Sequence, residues 1–326
     1  SDEHPAEEPF ERPALDAIKK PVANIGRHIG TILRFFLDGS RRTYKVADII
    51  VGGRYLPLIA GQVGVAVVQR VDEAIRPLRR FCRFENVLAF PDVINVDDLN
   101  HLQDRINRTQ QSLPFKLLRY NIKKDRDPVD LGVARIMRHM QDLEVETVAA
   151  MSDSKCLLNN AMLVVDGPLR FKEMRGRSFD IVQFRNVVGL SKTFRPSFTV
   201  GKGKRREDVG AITSQLDFAE RSSVFKTIEE DRIVGVWYLR LRPPSMMANP
   251  LQGIVKLECY AVDEEDKESG FDADRIDVIS AHVLAERNVC PYDADWRWAS
   301  HIYPIYLAEA YLKASFMSNS CFLALF

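Results

Sequence analysis

The sequence predicts a mixed-sheet α/β domain with a helical insertion, and three observations lead to that fold class. Strand-like runs come first, a long stretch of helix and loop follows, and strands and helices then alternate. This order differs from the regular βαβ alternation of a doubly wound parallel sheet. Two apolar runs, at 32–37 (ILRFFL) and 161–165 (AMLVV), each stop at an Asp-Gly pair. No G-x-G-x-x-G or G-x-x-x-x-G-K-[ST] pattern follows a strand, so a nucleotide-binding loop is not indicated.

Composition narrows the function class. The chain has 326 residues, 46% hydrophobic and 28% charged, which suffices for a sizeable core without disulfide staples. The formal net charge is +1, so any nucleic-acid surface must come from local segregation of charge. Cys82, Cys156, Cys259, Cys290 and Cys321 are scattered, odd in number and lack C-x-x-C spacing. That disfavours a zinc site or disulfide framework and suits a reducing compartment. The opening Ser1-Asp2-Glu3-His4-Pro5 is unlike a signal peptide, and the apolar runs are too short to span a bilayer. The expected compartment is the cytoplasm, with no membrane partner.

Element by element, residues 1–30 are expected to form a tail and a helical segment. Residues 1–13 are rich in Pro and Glu and expected to be mobile, and 14–30 read as one or two short helices broken near Pro21. The run 32–37 reads as a short strand that ends sharply at Asp38-Gly39-Ser40. Runs at 47–51 and 64–69, punctuated by Gly52-Gly53 and Gly61, extend it into an antiparallel meander. Residues 70–151 read as helix and loop, broken at Pro77, Pro91, Pro114 and Pro128, with one long helix from Pro128 to Met151. A buried strand at 161–165 ends in Asp166-Gly167-Pro168, and a strand at 187–190 leads into Ser191-Lys192-Thr193. A flexible basic loop is expected at 201–208, strands at 233–242 and 254–262, and an acidic turn at 263–268. Helices at 273–287 and 303–315 and a tail at 316–326 complete the chain.

The chemistry points to carboxylates. Ligands gather at the carboxyl ends of strands in α/β sheets, and Asp38 and Asp166 both stand there, each before a glycine. Oxygen ligands of this kind suit Mg²⁺ or Mn²⁺. A single Asp-Gly is explained by a turn alone; two of them, both after dry strands, put site and turn on an equal footing. A third carboxylate comes from helical geometry. At roughly 100° per residue, Val133, Met137, Met140, Thr147, Val148 and Met151 share one face of the long helix, with Glu144 inside it and Glu146 opposite. An apolar stripe tolerates a Glu only when the carboxylate is paired or metal-bound; Arg135 and Arg138 are the local alternatives to a metal. Two aspartates and a glutamate converging on one spot would form a two-metal nuclease site.

Other signals are weaker alone. Lys192 at a strand end could neutralise a phosphate or simply be a solvated lysine. Lys202, Lys204, Arg205 and Arg206 could follow a DNA backbone. Arg76, Arg79, Arg80 and Arg83 would form a positive stripe on a helix, suited to DNA, to an acidic partner or to solvent. The six histidines lack H-E-x-x-H spacing, and Ser40 and Ser191 lack a G-x-S-x-G context. Phe316, Phe322 and Phe326 are equally suited to an interface and to a packed core.

These segments together resemble the NurA nucleases, which act with the hexameric DNA-translocating ATPase HerA in DNA end processing. The matching stretches, in family order, are FFLDGSRR, the helix around Leu143-Glu144, LVVDGPL, VVGLSKT and YPIYLAEAYLKAS, spanning about 31 to 315. The resemblance implies an RNase H-like nuclease domain over 31–315, a homodimer enclosing a central channel, and Mn²⁺-dependent cleavage of DNA, with Mg²⁺ as a substitute. It implies 5′-to-3′ exonuclease and single-strand endonuclease activity, in recombination repair or antiviral defence. It carries onto Asp38, Glu144 and Asp166 as metal ligands and onto Lys192 and Tyr303 as further catalytic residues; Arg41 and Arg42, which follow Asp38 in FFLDGSRR, are expected DNA contacts. One departure stands out: where the family shows a histidine in its closing helix, Glu309-Ala310 is followed by Tyr311. A tyrosine supplies neither an imidazole ligand nor a base near neutral pH, which leaves Glu309 or His301 to compensate. The alternative function is therefore an inactive subunit that docks on the ATPase and shapes a DNA channel.

Overall fold

Burial of the dry strands organises the chain into a large mixed β-sheet flanked by helices. The structure, a computed structural model, describes residues 9–13, 18–26, 30–95, 97, 100–101, 104, 114–169, 180–194, 199–200, 207–288 and 296–326. The strands are β1 (Glu11–Arg12), β2 (Lys19–Pro21), β3 (Leu33–Val51), β4 (Arg54–Val71), β5 (Ala74–Pro77), β6 (Arg83–Pro91), β7 (Phe115–Tyr120) and β8 (Met162–Asp166). They continue with β9 (Val187–Ser191), β10 (Thr199–Val200), β11 (Glu207–Asp208), β12 (Glu220–Ser222), β13 (Phe225–Glu229), β14 (Arg232–Arg240), β15 (Ile254–Tyr260) and β16 (Phe271–Asp272). The helices used below are α1 (Pro128–Asp153), α2 (Val209–Ser214), α3 (Glu264–Ser269), α4 (Ala273–Ala285), α5 (Tyr303–Ser315) and α6 (Asn319–Leu323). Strand order in the large sheet is β2-β12-β14-β15-β9-β8-β3-β4-β6-β7, with β13 on β14 and β5 on β4. Among the described residues no helix is long and apolar enough to cross a membrane.

The chain divides into two compact units, each discontinuous in sequence. The first holds the described residues of Ser1–Leu37, Val68–Arg76 and Val148–Leu307. Its centre is a parallel ladder, in which Leu33, Phe35, Phe36 and Leu37 of β3 oppose Met162, Leu163, Val164 and Val165 of β8. These eight side chains are all buried. Strands covered on both faces become continuous apolar runs, which is why ILRFFL and AMLVV are legible as strands. β8 runs parallel to β9, and the ladder then turns antiparallel through β15, β14, β12 and β2. Helix α4 is fixed to β14 by a Trp237 Nε1–H bond to Ser280 Oγ at 3.0 Å.

A buried polar network ties Glu11 and Lys20 to the sheet of this unit. The fully buried Arg221 guanidinium donates through Nη2 to Glu11 Oε2 at 2.8 Å and through Nε to Asp277 Oδ1 at 2.6 Å. Glu11 Oε1 also accepts the Val224 N–H at 3.1 Å, and Lys20 pairs with Asp277. β1 is held beside β16.

The second unit holds the described residues of Asp38–Val67, Pro77–Thr147 and Ala308–Phe326. Here the Gly52-Gly53 turn joins β3 to β4. Both glycines take positive φ, 57° and 76°, as a two-residue turn between twisted strands requires. β6 pairs antiparallel with β4, and β7 parallel with β6. Helix α1 lies close on this sheet at Gly132, where a Cβ would stand 2.6 Å from Ile59 Cγ1. Leu58, Ala60, Leu88, Phe90 and Phe115 form a core with Phe322 of α6.

Several expectations need correction. β3 does not end at Asp38-Gly39-Ser40 but continues to Val51, for a length of 19 residues. The long apolar β4 needs a ladder partner, and the half-exposed polar stretch after Asp38 supplies it. The strands expected at 47–51 and 64–69 are parts of β3 and β4, and Gly61 lies within β4, where a Cβ would meet the Arg42 carbonyl at 2.7 Å. The helical insertion at about 70–151 contains β5, β6 and β7, so only its end, as α1, is the expected long helix. A short run such as Val87-Leu88-Ala89-Phe90 suits a buried strand and a buried helix equally by periodicity. Arg76, Arg79, Arg80 and Arg83 accordingly share no helical face: they fall on β5, a 3₁₀ turn and the start of β6. Lys19–Pro21, expected as helix, is a strand, and the acidic turn contains α3. Residues 1–8 and the basic loop positions 201–206 lie outside the described residues.

Removing Glu11 leaves a fully buried guanidinium short of a partner. Glu11→Ala should therefore cost about 3–5 kcal/mol of stability, read from urea unfolding, and Glu11→Gln should cost less. A loss below about 1 kcal/mol would show that Asp277 alone satisfies Arg221.

Candidate functional site

The three predicted carboxylates fall in both units. In the second unit, Asp38 and Glu144 are buried, with 5% and 7% of their surface exposed. Gly39 explains how Glu144 fits: a Cβ on Gly39 would stand 2.3 Å from Glu144 Oε1. The glutamate carboxyl therefore occupies the space that any other residue type would fill, next to the residue that follows Asp38. The helix-face reasoning holds for the two glutamates: Glu146 is half-buried and its Oε2 accepts from Arg83 Nη1 at 2.7 Å. Of the expected stripe, Thr147, Val148 and Met151 are buried and Val133 and Met140 partly so, whereas Met137 is exposed and Ile136, His139 and Leu143 are buried beside them.

In the first unit, Asp166 closes β8 and its Oδ2 lies 2.8 Å from Lys192 Nζ. Leu37 opposes Val165 in the ladder, and Asp38 and Asp166 are the next residues of the two strands. After Asp166 the chain turns at Gly167, with φ of 114°, whose N–H bonds to the Leu190 carbonyl at 2.8 Å. This turn needs glycine twice. Gly167 supplies the positive φ, and Gly189 on β9 leaves room for the returning chain, since a Cβ there would stand 2.8 Å from Leu169 Cγ.

Two residues of this neighbourhood were missed from sequence. Glu258 and Lys256, two apart on β15, are both buried, with Lys256 Nζ 2.6 Å from Glu258 Oε1. Glu258 Oε2 accepts the Leu169 N–H at 2.7 Å. Their signal was present: opposite charges interrupt an apolar strand at period two, so they share one face.

The remaining candidates are placed as follows. Tyr303 opens α5 in the first unit; its N–H donates to the Glu286 carbonyl at 2.8 Å and its side chain is partly exposed. Arg41, in the second unit, is half-exposed, with Nη2 3.9 Å from Met137 Sδ. The Arg42 guanidinium is occupied by the Met317 carbonyl at 3.0 Å and the Lys313 carbonyl at 3.4 Å, and lies over the Phe316 ring. It serves the end of α5, where a cation suits the exposed carbonyls. Lys202, Lys204, Arg205 and Arg206 lie outside the described residues. Tyr311 packs on Phe84, with ring centroids 6.0 Å apart, and Glu309 pairs with Lys313 at 2.7 Å. His301 is buried, with its carbonyl accepting from the Asn288 N–H. Phe316 and Phe322 are core residues, which decides their open reading, while Phe326 is half-exposed against Phe115.

Among the described residues no group of three or more His, Cys, Asp or Glu side chains is gathered closely enough to hold a metal ion. Carboxylate oxygen is the donor type that hard divalent cations prefer, and the space beside the bare Gly39 is taken by the Glu144 carboxyl. No protein-family model matches the chain, and no curated protein matches it.

A second ionisable pair in the same unit is Glu85 with His139, whose Nε2 lies 2.6 Å from Glu85 Oε2. This hydrogen bond holds the Glu85 carboxyl below its ordinary range.

Two outcomes follow. Gly39→Ala should destabilise by about 1–3 kcal/mol through overpacking, and by clearly less in a Glu144→Ala background; equal losses in the two backgrounds would remove the Gly39–Glu144 contact as the cause. A carboxyl whose folded pKa is depressed adds stability above its unfolded pKa, and that stability fades as pH falls through the folded value. The urea midpoint should therefore decline below the ordinary glutamate range, and less steeply in Glu85→Gln; parallel declines would show that the His139 bond contributes nothing.

Proposed function

We propose that the protein is a metal-dependent DNA nuclease with an RNase H-like core, of the kind the NurA nucleases represent. The observation that carries this reading is the burial of Glu144 against Gly39, immediately beside Asp38. A position kept bare to admit a carboxylate suits a ligand set better than a turn. Asp166, with Lys192 on its carboxylate, is the third ligand of the proposal.

Asp38, Glu144 and Asp166 would hold Mn²⁺ or Mg²⁺, which supplies charge at the scissile phosphate and lowers the pKa of an attacking water. The chain's own residues do the rest. Lys192 carries a fixed positive charge beside Asp166, suited to the charge that develops on phosphate oxygens during phosphodiester cleavage. Arg41 remains available at the surface for a DNA backbone, with affinity that falls as salt rises. Cleavage from 5′ to 3′, single-strand endonuclease action, a homodimer and a HerA-like hexameric ATPase belong to the same proposal and rest on the motif resemblance.

A second reading has one observation in its favour. Tyr311 stands where the family shows histidine, and its ring packs on Phe84, so that position contributes packing and not acid–base chemistry. On that reading the chain is a DNA-channel subunit that relies on its ATPase partner.

Asp38→Ala and Asp166→Ala should each abolish Mn²⁺-dependent degradation of single-stranded DNA with the far-ultraviolet circular dichroism unchanged. Glu144→Ala should be more severe than Glu146→Ala. Full activity in either aspartate variant would falsify the ligand assignment. Calorimetry that detects no Mn²⁺ uptake by the wild-type chain would favour the second reading.

A further inference from the structure

The turn that carries Asp166 is held by a buried carboxylate from another strand. Glu258 uses both oxygens: Oε1 faces Lys256 Nζ at 2.6 Å, and Oε2 accepts the Leu169 N–H at 2.7 Å. The Leu169 carbonyl accepts from the Tyr260 hydroxyl, two residues further along the same strand. Leu169 is thus gripped at both its backbone groups by β15, and it is pressed onto the bare Gly189 of β9. The grip acts on Gly167 and Asp166, because only Pro168 separates Gly167 from Leu169 and the Gly167 N–H is itself tied to Leu190. Lys192, which binds Asp166, follows directly on Ser191, the register partner of Lys256.

We infer that Glu258, charge-balanced by Lys256, is a positioning residue that fixes the Asp166 turn and so keeps the Asp166 carboxylate and the Lys192 ammonium in register. The catalytic part of this inference rests on the nuclease reading; the structural part does not. A buried glutamate with only a packing role would not need to spend one oxygen on a turn that begins at a candidate ligand. Its neutralisation by Lys256 meets the demand that a buried charge be paired, and a carboxylate accepting a backbone N–H makes a stronger bond than a neutral acceptor. Supporting residues of this type orient a ligand without touching the metal.

The test uses the full chain as wild type, Glu258→Gln and Glu258→Ala. Glu258→Gln keeps an acceptor for the Leu169 N–H; Glu258→Ala does not. Two readouts are taken on folded protein, with folding checked by circular dichroism. The first is the rate at which an amine-acylating reagent labels Lys192, followed by mass spectrometry. The second is Mn²⁺-dependent cleavage of single-stranded DNA, separated into kcat and KM. Glu258→Ala is expected to raise Lys192 labelling several-fold and to lower kcat by about 10- to 100-fold with KM little changed, and Glu258→Gln to recover most of both. Lys192 labelling that is unchanged in folded Glu258→Ala overturns the inference, whatever the activity. A wild type that does not cleave DNA, together with raised labelling in Glu258→Ala, removes the nuclease reading and leaves the clamp standing. If Glu258→Ala does not fold, Tyr260→Phe replaces it, since that variant loses only the hydroxyl on the Leu169 carbonyl; unchanged labelling there overturns the clamp equally.

Discussion

The dry parallel ladder between β3 and β8 is the constraint from which the candidate chemistry follows. Its paired residues are buried on both faces, so a slip by one residue would bring Asp38 or Asp166 into a position that an apolar side chain fills. The ladder therefore fixes its register strongly. Fixed register also fixes where the apolar runs stop, and each stops at an aspartate. The first carboxylate, Asp38, is still buried at the point where its run ends, and the second, Asp166, is half-buried.

The two units stabilise themselves in different ways. The first buries charge, with Glu11, Arg221 and Asp277 in one network, Arg70 with Glu286 in another, and Lys256 with Glu258 in a third. Each pair is costly to dehydrate and costly to break singly, so such pairs specify one arrangement more than they add net stability. The second unit buries Asp38, Glu144 and His139 as well, and adds a cluster of rings. Phe115, Phe322 and Phe326 meet at centroid separations between 5.5 and 6.0 Å, and Tyr44 joins Phe322 at 5.7 Å. Edge-to-face and tilted contacts of this kind add to area burial without fixing charge.

How much of this was legible depended on local pattern. α1, α4 and α5 were visible because their apolar residues recur at the helical period over enough length, and β8 and β9 because they are continuous apolar runs that stop at turn residues. β6 and β7 were hidden because their apolar runs are short and bounded by proline, which suits strand and helix alike. The continuation of β3 past Asp38 was hidden for a different reason: Asp-Gly-Ser has turn chemistry, and only the distant demand of β4 for a ladder partner overrides it. Glu144 was legible from its place on a helix, whereas Glu258 was not singled out, since its meaning lies in a hydrogen bond to Leu169 across the sheet.

The Gly52-Gly53 turn has a consequence for how the chain reaches this structure. Hairpins with a two-residue turn close locally, within roughly 1–10 μs, and the long β3–β4 ribbon can zip outward from its glycines. The β3–β8 ladder has no such nucleus; it joins segments far apart in sequence, and loop closure must come before any of its contacts are made. Assembly is therefore ordered in time. The β3–β4 ribbon forms first, and the apolar Leu33–Leu37 edge of β3 stays open on its other side until β8 arrives. During that interval the residues that most firmly define the finished fold are also the ones most exposed to pairing with the wrong strand.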